Sequence, residues 1–249
     1  MKKTFIATWC LGVALLATAI VSCNGTQKKS EEECDSTSMA EEVEESTDFI
    51  FEEEPDSILF KESEYAFPVR SKGGQPTIAD FINAILSQEE TYDAYYELSP
   101  CWERYQKGKT LPEGRSIVLD KKERYMRFDE TEVLENGSTY TGVKEYFCWD
   151  FADGKHQLVV ENTVDCNDGE PFAGQYSGLS FYIYDMETRK MWLTSEYSIG
   201  GDFDIPRDTH MIVHKVDNKN KSIDYTCYTE KGAVTRCAIW DGRRIKLIR

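Results

Sequence analysis

The chain has 249 residues and a formal net charge of −16, a length that suits one ordinary domain with a tail or two small ones. Its acidic balance offers no clustered basic face, so a nucleic-acid partner is excluded at this level. Eight cysteines are present but none in a Cys-x-x-Cys pair, so zinc-ribbon and dithiol chemistry are not expected, and neither is a cofactor.

Lys2 and Lys3 precede an apolar run that starts at Phe5 and closes on Ala19-Ile20-Val21-Ser22-Cys23. Charged, then apolar, then small is the order of a secretory signal, not of a membrane-spanning helix. Ser22 directly before Cys23, with Val21 and Ile20 behind it, resembles the lipobox of bacterial lipoproteins. The resemblance covers the first 23 residues. It implies cleavage before Cys23, acylation of that cysteine as the lipid attachment site, and residence in the cell envelope on the outer membrane. The expected divisions are a signal peptide at 1–22, an acidic tether at 23–64 and a single domain at 65–249.

Residues 24–64 hold fifteen acidic side chains against Lys28, Lys29 and Lys61, a net −12. The leader carries +2, which leaves −6 for residues 65–249. Such a segment cannot bury enough apolar surface to offset the entropy of ordering it, which predicts a disordered tether. Beside a lipid anchor it is repelled by anionic headgroups and holds the domain off the membrane. Gln27-Lys28-Lys29-Ser30-Glu31-Glu32-Glu33 resembles the short charged signals that send some Gram-negative lipoproteins to the cell surface. A solvated spacer is the plainer reading.

Folding is expected to begin near Tyr65. Thr77 can cap a helix with Asp80 three residues on, and Ile78, Phe81, Ile82, Ile85 and Leu86 form one apolar stripe. Ser87 with Glu90 repeats the cap, and Tyr92, Tyr95, Tyr96 and Leu98 predict a second helix ending before Pro100, with Cys101, Trp102 and Tyr105 continuing as a short helical turn or an extended segment. After Gly114 the period changes to two. Strands are expected at 115–120, 124–128, 144–151, 156–164, 180–185, 190–194, 210–216, 222–229, 234–240 and 243–248. Asp153-Gly154 signals a tight hairpin in which Trp149 opposes Leu158 and Phe147 opposes Val160. Links this short force antiparallel neighbours. The predicted class is α+β and mainly antiparallel β, with an N-terminal helical pair packed on a β-meander that closes partly as a barrel or splits into two sheets.

Catalytic and metal signals are weak. His210 and His214 share the i, i+4 spacing of a helical metal site, but in a strand they stand about 13 Å apart. Ser177, in Gly174-Gln175-Tyr176-Ser177-Gly178, occupies the fourth position where a nucleophile elbow has the third, and it precedes a strand. Asp165-Cys166-Asn167-Asp168-Gly169-Glu170 and the loop bearing Asp202, Asp204 and Asp208 offer oxygen ligands for calcium, although such residues are also what turns use.

The hairpin around 180–194 is aromatic on both faces. Tyr182, Tyr184 and Trp192 are candidates to face a ligand, with core packing the plainer alternative. Cys227 and Cys237 can form a disulfide if Glu230 opposes Val234, whereas a two-residue turn puts them on opposite faces. The expected function is a lipid-anchored, non-catalytic binding or structural module whose partners are the membrane, through its anchor, and an envelope protein or glycan. The rivals are a hydrolase using paired carboxylates and an envelope inhibitor or assembly factor that pairs through a sheet edge.

Overall fold

The structure is a computed structural model that describes residues 60, 62–88, 98–172, 174, 177–195, 199 and 203–248. Cys23, the leader and most of the acidic segment lie outside the described residues. No helix among the described residues is long and apolar enough to cross a membrane.

Helix α1 (Ile78–Leu86) forms where its sequence asks for it. Thr77 and Asp80 make a reciprocal capping box, and Ile78, Phe81, Ile82, Ile85 and Leu86 are buried. The expected second helix, with Glu90, Tyr92, Tyr95 and Tyr96, lies outside the described residues. Ser87 closes α1 as its C-cap, and α2 runs over Leu98–Gln106, where a short helical turn or an extended segment was expected for Cys101, Trp102 and Tyr105. Pro100 is the third residue of α2. In a first turn its missing N–H costs nothing, because that donor has no intrahelical acceptor. Asn83 Oδ1 accepts from Trp102 Nε1 at 2.8 Å and Gln106 Nε2 at 2.9 Å, joining the two helices.

Among the described residues, twelve strands follow the antiparallel plan in two unclosed sheets. The larger sheet contains β1 (Phe67–Pro68), β2 (Arg115–Asp120), β3 (Tyr125–Val133), β4 (Thr139–Asp150), β5 (His156–Asn167), β6 (Glu170–Phe172), β7 (Gly178–Asp185) and β8 (Lys190–Thr194). Its order is β1-β8-β7-β5-β4-β3-β2, with β6 folded back on β5. The smaller sheet is a meander of β9 (Thr209–Asp217), β10 (Ser222–Thr229), β11 (Gly232–Trp240) and β12 (Ile245–Ile248). The two-sheet alternative is therefore the one realised.

Register follows side-chain pairing and turn chemistry. Trp149 opposes Leu158 and Phe147 opposes Val160, as the Asp-Gly turn predicts. Three hairpins share one device. Asp120, Asp185 and Asp217 each end a strand and accept the backbone N–H groups of the residues two and three positions on. Arg124, Arg189 and Lys221 then close the three turns in the left-handed region, with φ of 53°, 58° and 51°. Strand β6, absent from the sequence reading, arises from Asp168-Gly169, both at positive φ, the signature of a two-residue primed turn.

Alternation along the larger sheet gives it two apolar faces. Met126, Tyr146, Cys148, Val159, Tyr182, Tyr184 and Met191 share one core with α1 and α2. Trp149, Leu158, Val160, Phe181, Ile183 and Trp192 pack against Ile223, Tyr225, Cys227 and Trp240 of the smaller sheet. Phe60 extends the packing five residues ahead of the expected start, stacking on His156 with ring centroids 4.0 Å apart.

Candidate functional site

Several residues singled out by sequence serve the fold. Tyr182, Tyr184 and Trp192 are all buried, the first two on the helix side and Trp192 between the sheets. Both faces of that hairpin are covered, so these rings line no groove. Cys227 opposes Val234 and Cys237 opposes Asp224. The turn has two residues, Glu230 and Lys231, so the cysteines point to opposite faces and are not bonded. Asp204 is ion-paired with Arg236, Asp208 is exposed and Asp202 lies outside the described residues.

The histidines are dispersed. His156 Nδ1 sits 2.5 Å from Asp153 Oδ2. His210 is the extra residue of a bulge in β9, because Met211 opposes Tyr228 and Thr209 opposes Thr229. His214 opposes Tyr225 and lies 6.4 Å from the Phe203 ring, and burial pushes its imidazole down to about 4. Ser177 Oγ donates to Asp165 Oδ2 at 2.9 Å and accepts from the backbone N–H groups of Gly174 and Asp165. With no histidine among these partners, it pins a loop and is not poised as a nucleophile.

The helix side of the larger sheet also carries charge. Glu161 and Asp165 are 4% and 5% exposed, and Tyr182 donates to Glu161 Oε2 at 3.2 Å. Burial lowers the pKa of Lys144 against the pull of Glu161, Asp165 and Glu130. Four residues apart on one strand, Glu161 and Asp165 have backbones about 13 Å apart, wider than either carboxylate spacing used for glycoside hydrolysis.

A cleft of about 470 Å³ opens where the two sheets part, between the β2–β3 and β9–β10 turns. This volume lies in the range of small-molecule sites. Its floor is Tyr125 and Phe147, cross-strand partners with ring centroids 5.1 Å apart. Beside them Glu145 accepts from Tyr125 Oη at 2.8 Å through one carboxylate oxygen and from Asn162 Nδ2 at 3.0 Å through the other. Arg127 stands 3.8 Å away. Burial, and then the Glu145 charge, raise the Tyr125 phenol far above its ordinary value, so it stays protonated as a donor. Asp120, Glu123, Asp217 and Asp224 rim the cleft with Lys215 and Lys219, so five carboxylates face two lysines.

Asn218 holds one wall. Its Nδ2 donates to Glu123 O at 2.6 Å and its Oδ1 accepts from Trp149 Nε1 at 2.8 Å. The site was not legible in the sequence because its members come from two turns and six strands with no common spacing. The available signal was polarity at inward positions: Glu145 and Asn162 fall on the apolar side of their strands. Comparison with protein-family models, curated proteins and solved structures returns no match to this chain, so the site stands on its geometry alone.

Proposed function

We propose that this chain is a lipid-anchored cell-envelope protein, tethered to the outer membrane through Cys23, whose domain is a non-catalytic binding module using the cleft between its sheets. The observation that carries the reading is the Tyr125–Glu145–Asn162 array. Both carboxylate oxygens are already held by hydrogen bonds within the protein, so the polar groups are fixed before a ligand arrives. Such preorganisation lowers the ordering cost of binding. The aromatic floor supplies contact area, and the excess of carboxylates favours a small ligand bearing positive charge.

The anchor is supported by the lipobox-like order of Lys2, Lys3, the apolar run and Ser22-Cys23. Labelling with radioactive palmitate, followed by fractionation, tests it. The wild-type chain is expected to carry label in the envelope fraction, and Cys23→Ala to be unlabelled. Label on the variant, or none on either chain, contradicts the anchor.

A further inference from the structure

On the helix side of the larger sheet, opposite to the inter-sheet cleft, Tyr140 lies flat along the sheet. The reason is Gly142, two residues on and on the same face. A Cβ there would stand 3.2 Å from the Tyr140 hydroxyl and 3.7 Å from ring atoms Cε1 and Cζ, so the ring occupies the space a side chain would take. Beyond Gly142 its hydroxyl reaches Asp165 Oδ1 at 2.6 Å. Asp165 is in turn held by Ser177, and Gly174 must be glycine because a Cβ there would stand 1.6 Å from Asp165 Oδ2. A buried carboxylate, a serine and two glycines thus fix one half-buried aromatic ring at the edge of a cleft.

That cleft has a volume of about 450 Å³. Phe172 stands edge-on to Tyr140 with centroids 6.3 Å apart, and Leu134 and Pro171 extend the apolar lining. Asn167 and Glu170 continue the cross-strand row that starts at Tyr140, and Asn136 stands at the rim. We propose that this cleft binds a neutral oligosaccharide, one sugar ring stacking on Tyr140 while Asn167, Glu170 and Asn136 read its hydroxyls.

Three observations select that ligand. A ring held flat offers the apolar face that a pyranose stacks on, with amide and carboxylate side chains lining the same cleft to meet its hydroxyls. The charged residues framing the cleft, Glu135 and Asp168 on the two turns and Glu170 at the start of β6, are all acidic, which disfavours an anionic polymer. Backbone donors around the rim are already used: Leu134 N–H to Ser138 O, Asp168 N–H to Thr139 O and Thr139 N–H to Asp168 Oδ1. These donors are therefore not open to the backbone of a peptide.

The test titrates the full chain in detergent micelles with maltohexaose, cellohexaose, xylohexaose and chitohexaose, following amide shifts by NMR. At least one is expected to shift Leu134, Asn136 and Asn167. Tyr140→Ala is expected to weaken binding by tenfold or more, and Tyr140→Phe, which keeps the ring but frees it from Asp165, by a few-fold. Phe172→Ala provides a second loss, with melting curves confirming that each variant folds. The proposal is overturned if none of the four saccharides binds, if binding ignores Tyr140, or if only a proline-rich decapeptide binds there. Shifts confined to Tyr125 and Lys215 would also overturn it, while leaving the inter-sheet cleft as a ligand site.

Discussion

Trp149 and Asn218 clasp the two sheets: the indole Nε1 of one donates to the side-chain oxygen of the other at 2.8 Å. Trp149 is 1% exposed, so water cannot replace that acceptor. Asn218→Ala is expected to destabilise the domain by about 1–3 kcal/mol, the cost of stranding a buried donor. Asn218→Asp keeps the acceptor for Trp149 but turns a carboxylate oxygen toward Glu123 O in an acidic cleft, so it should also destabilise. Urea midpoints at constant m-value measure both.

Gly174→Ala drives a methyl group into the Asp165 carboxylate. Moving Asp165 breaks its bonds to Ser177 and Tyr140 together. A loss of at least about 2 kcal/mol is expected, because a nearly buried carboxylate is left short of donors. Gly178→Ala is the control, since a Cβ there meets nothing within 4 Å. Equal melting temperatures for the two variants would contradict the account.

Lys221 and Arg189 occupy equivalent left-handed turn positions with different consequences. Lys221→Gly relieves the steric penalty of that conformation and should stabilise the domain by up to about 1 kcal/mol. The Arg189 guanidinium donates to Gly74 O at 2.9 Å and Gly73 O at 3.3 Å, tying the segment before α1 to the β7–β8 turn. Arg189→Gly should therefore destabilise. Thermal unfolding of the two variants gives shifts of opposite sign.

His214 sets a pH dependence. Burial holds its folded value near 4, below the unfolded value of about 6.5. Below pH 6.5 the unfolded chain binds a proton that the folded chain refuses, so stability falls as pH drops from about 6.5 to about 4 and this contribution then levels off. The loss is at most about 3 kcal/mol at 1.36 kcal/mol per unit, and smaller to the extent that the half-buried ring keeps solvent contact. His214→Leu should flatten that interval. Below it, Asp241 contributes with other lowered carboxylates such as Asp150 and Asp153: partial burial opposes its ionisation, but Lys246 and the N–H groups of Arg244 and Arg243 lower it to about 2.

The hairpins were legible because their signals are local. Asp-Gly at 153–154 and the strand-ending aspartates dictate turns within a few residues, and Trp149 against Leu158 fixes register by face. Helix α1 announced itself through Thr77 and Asp80. Readings stayed open or went astray where a local sign has two meanings. Pro100 reads as a stop but suits a helix's first turn equally well. Cys227 and Cys237 depend on whether the turn holds two residues or three, and one residue inverts the face. Tyr182, Tyr184 and Trp192 took the plainer alternative, core packing; a sheet covered on both faces has the same aromatic alternation as one left open, so the sequence kept both readings. Tyr140 was missed, although its signal was present: an aromatic two residues before a strand glycine shares that glycine's face and can lie across it.

Hydrogen exchange of the full chain tests the central claim most directly, comparing intact cell envelopes with protein purified in detergent. A binding module working through its inter-sheet cleft predicts slower exchange in the envelope at residues 120–125 and 215–219, with β11 unchanged. Identical exchange at those two turns in both settings would contradict it.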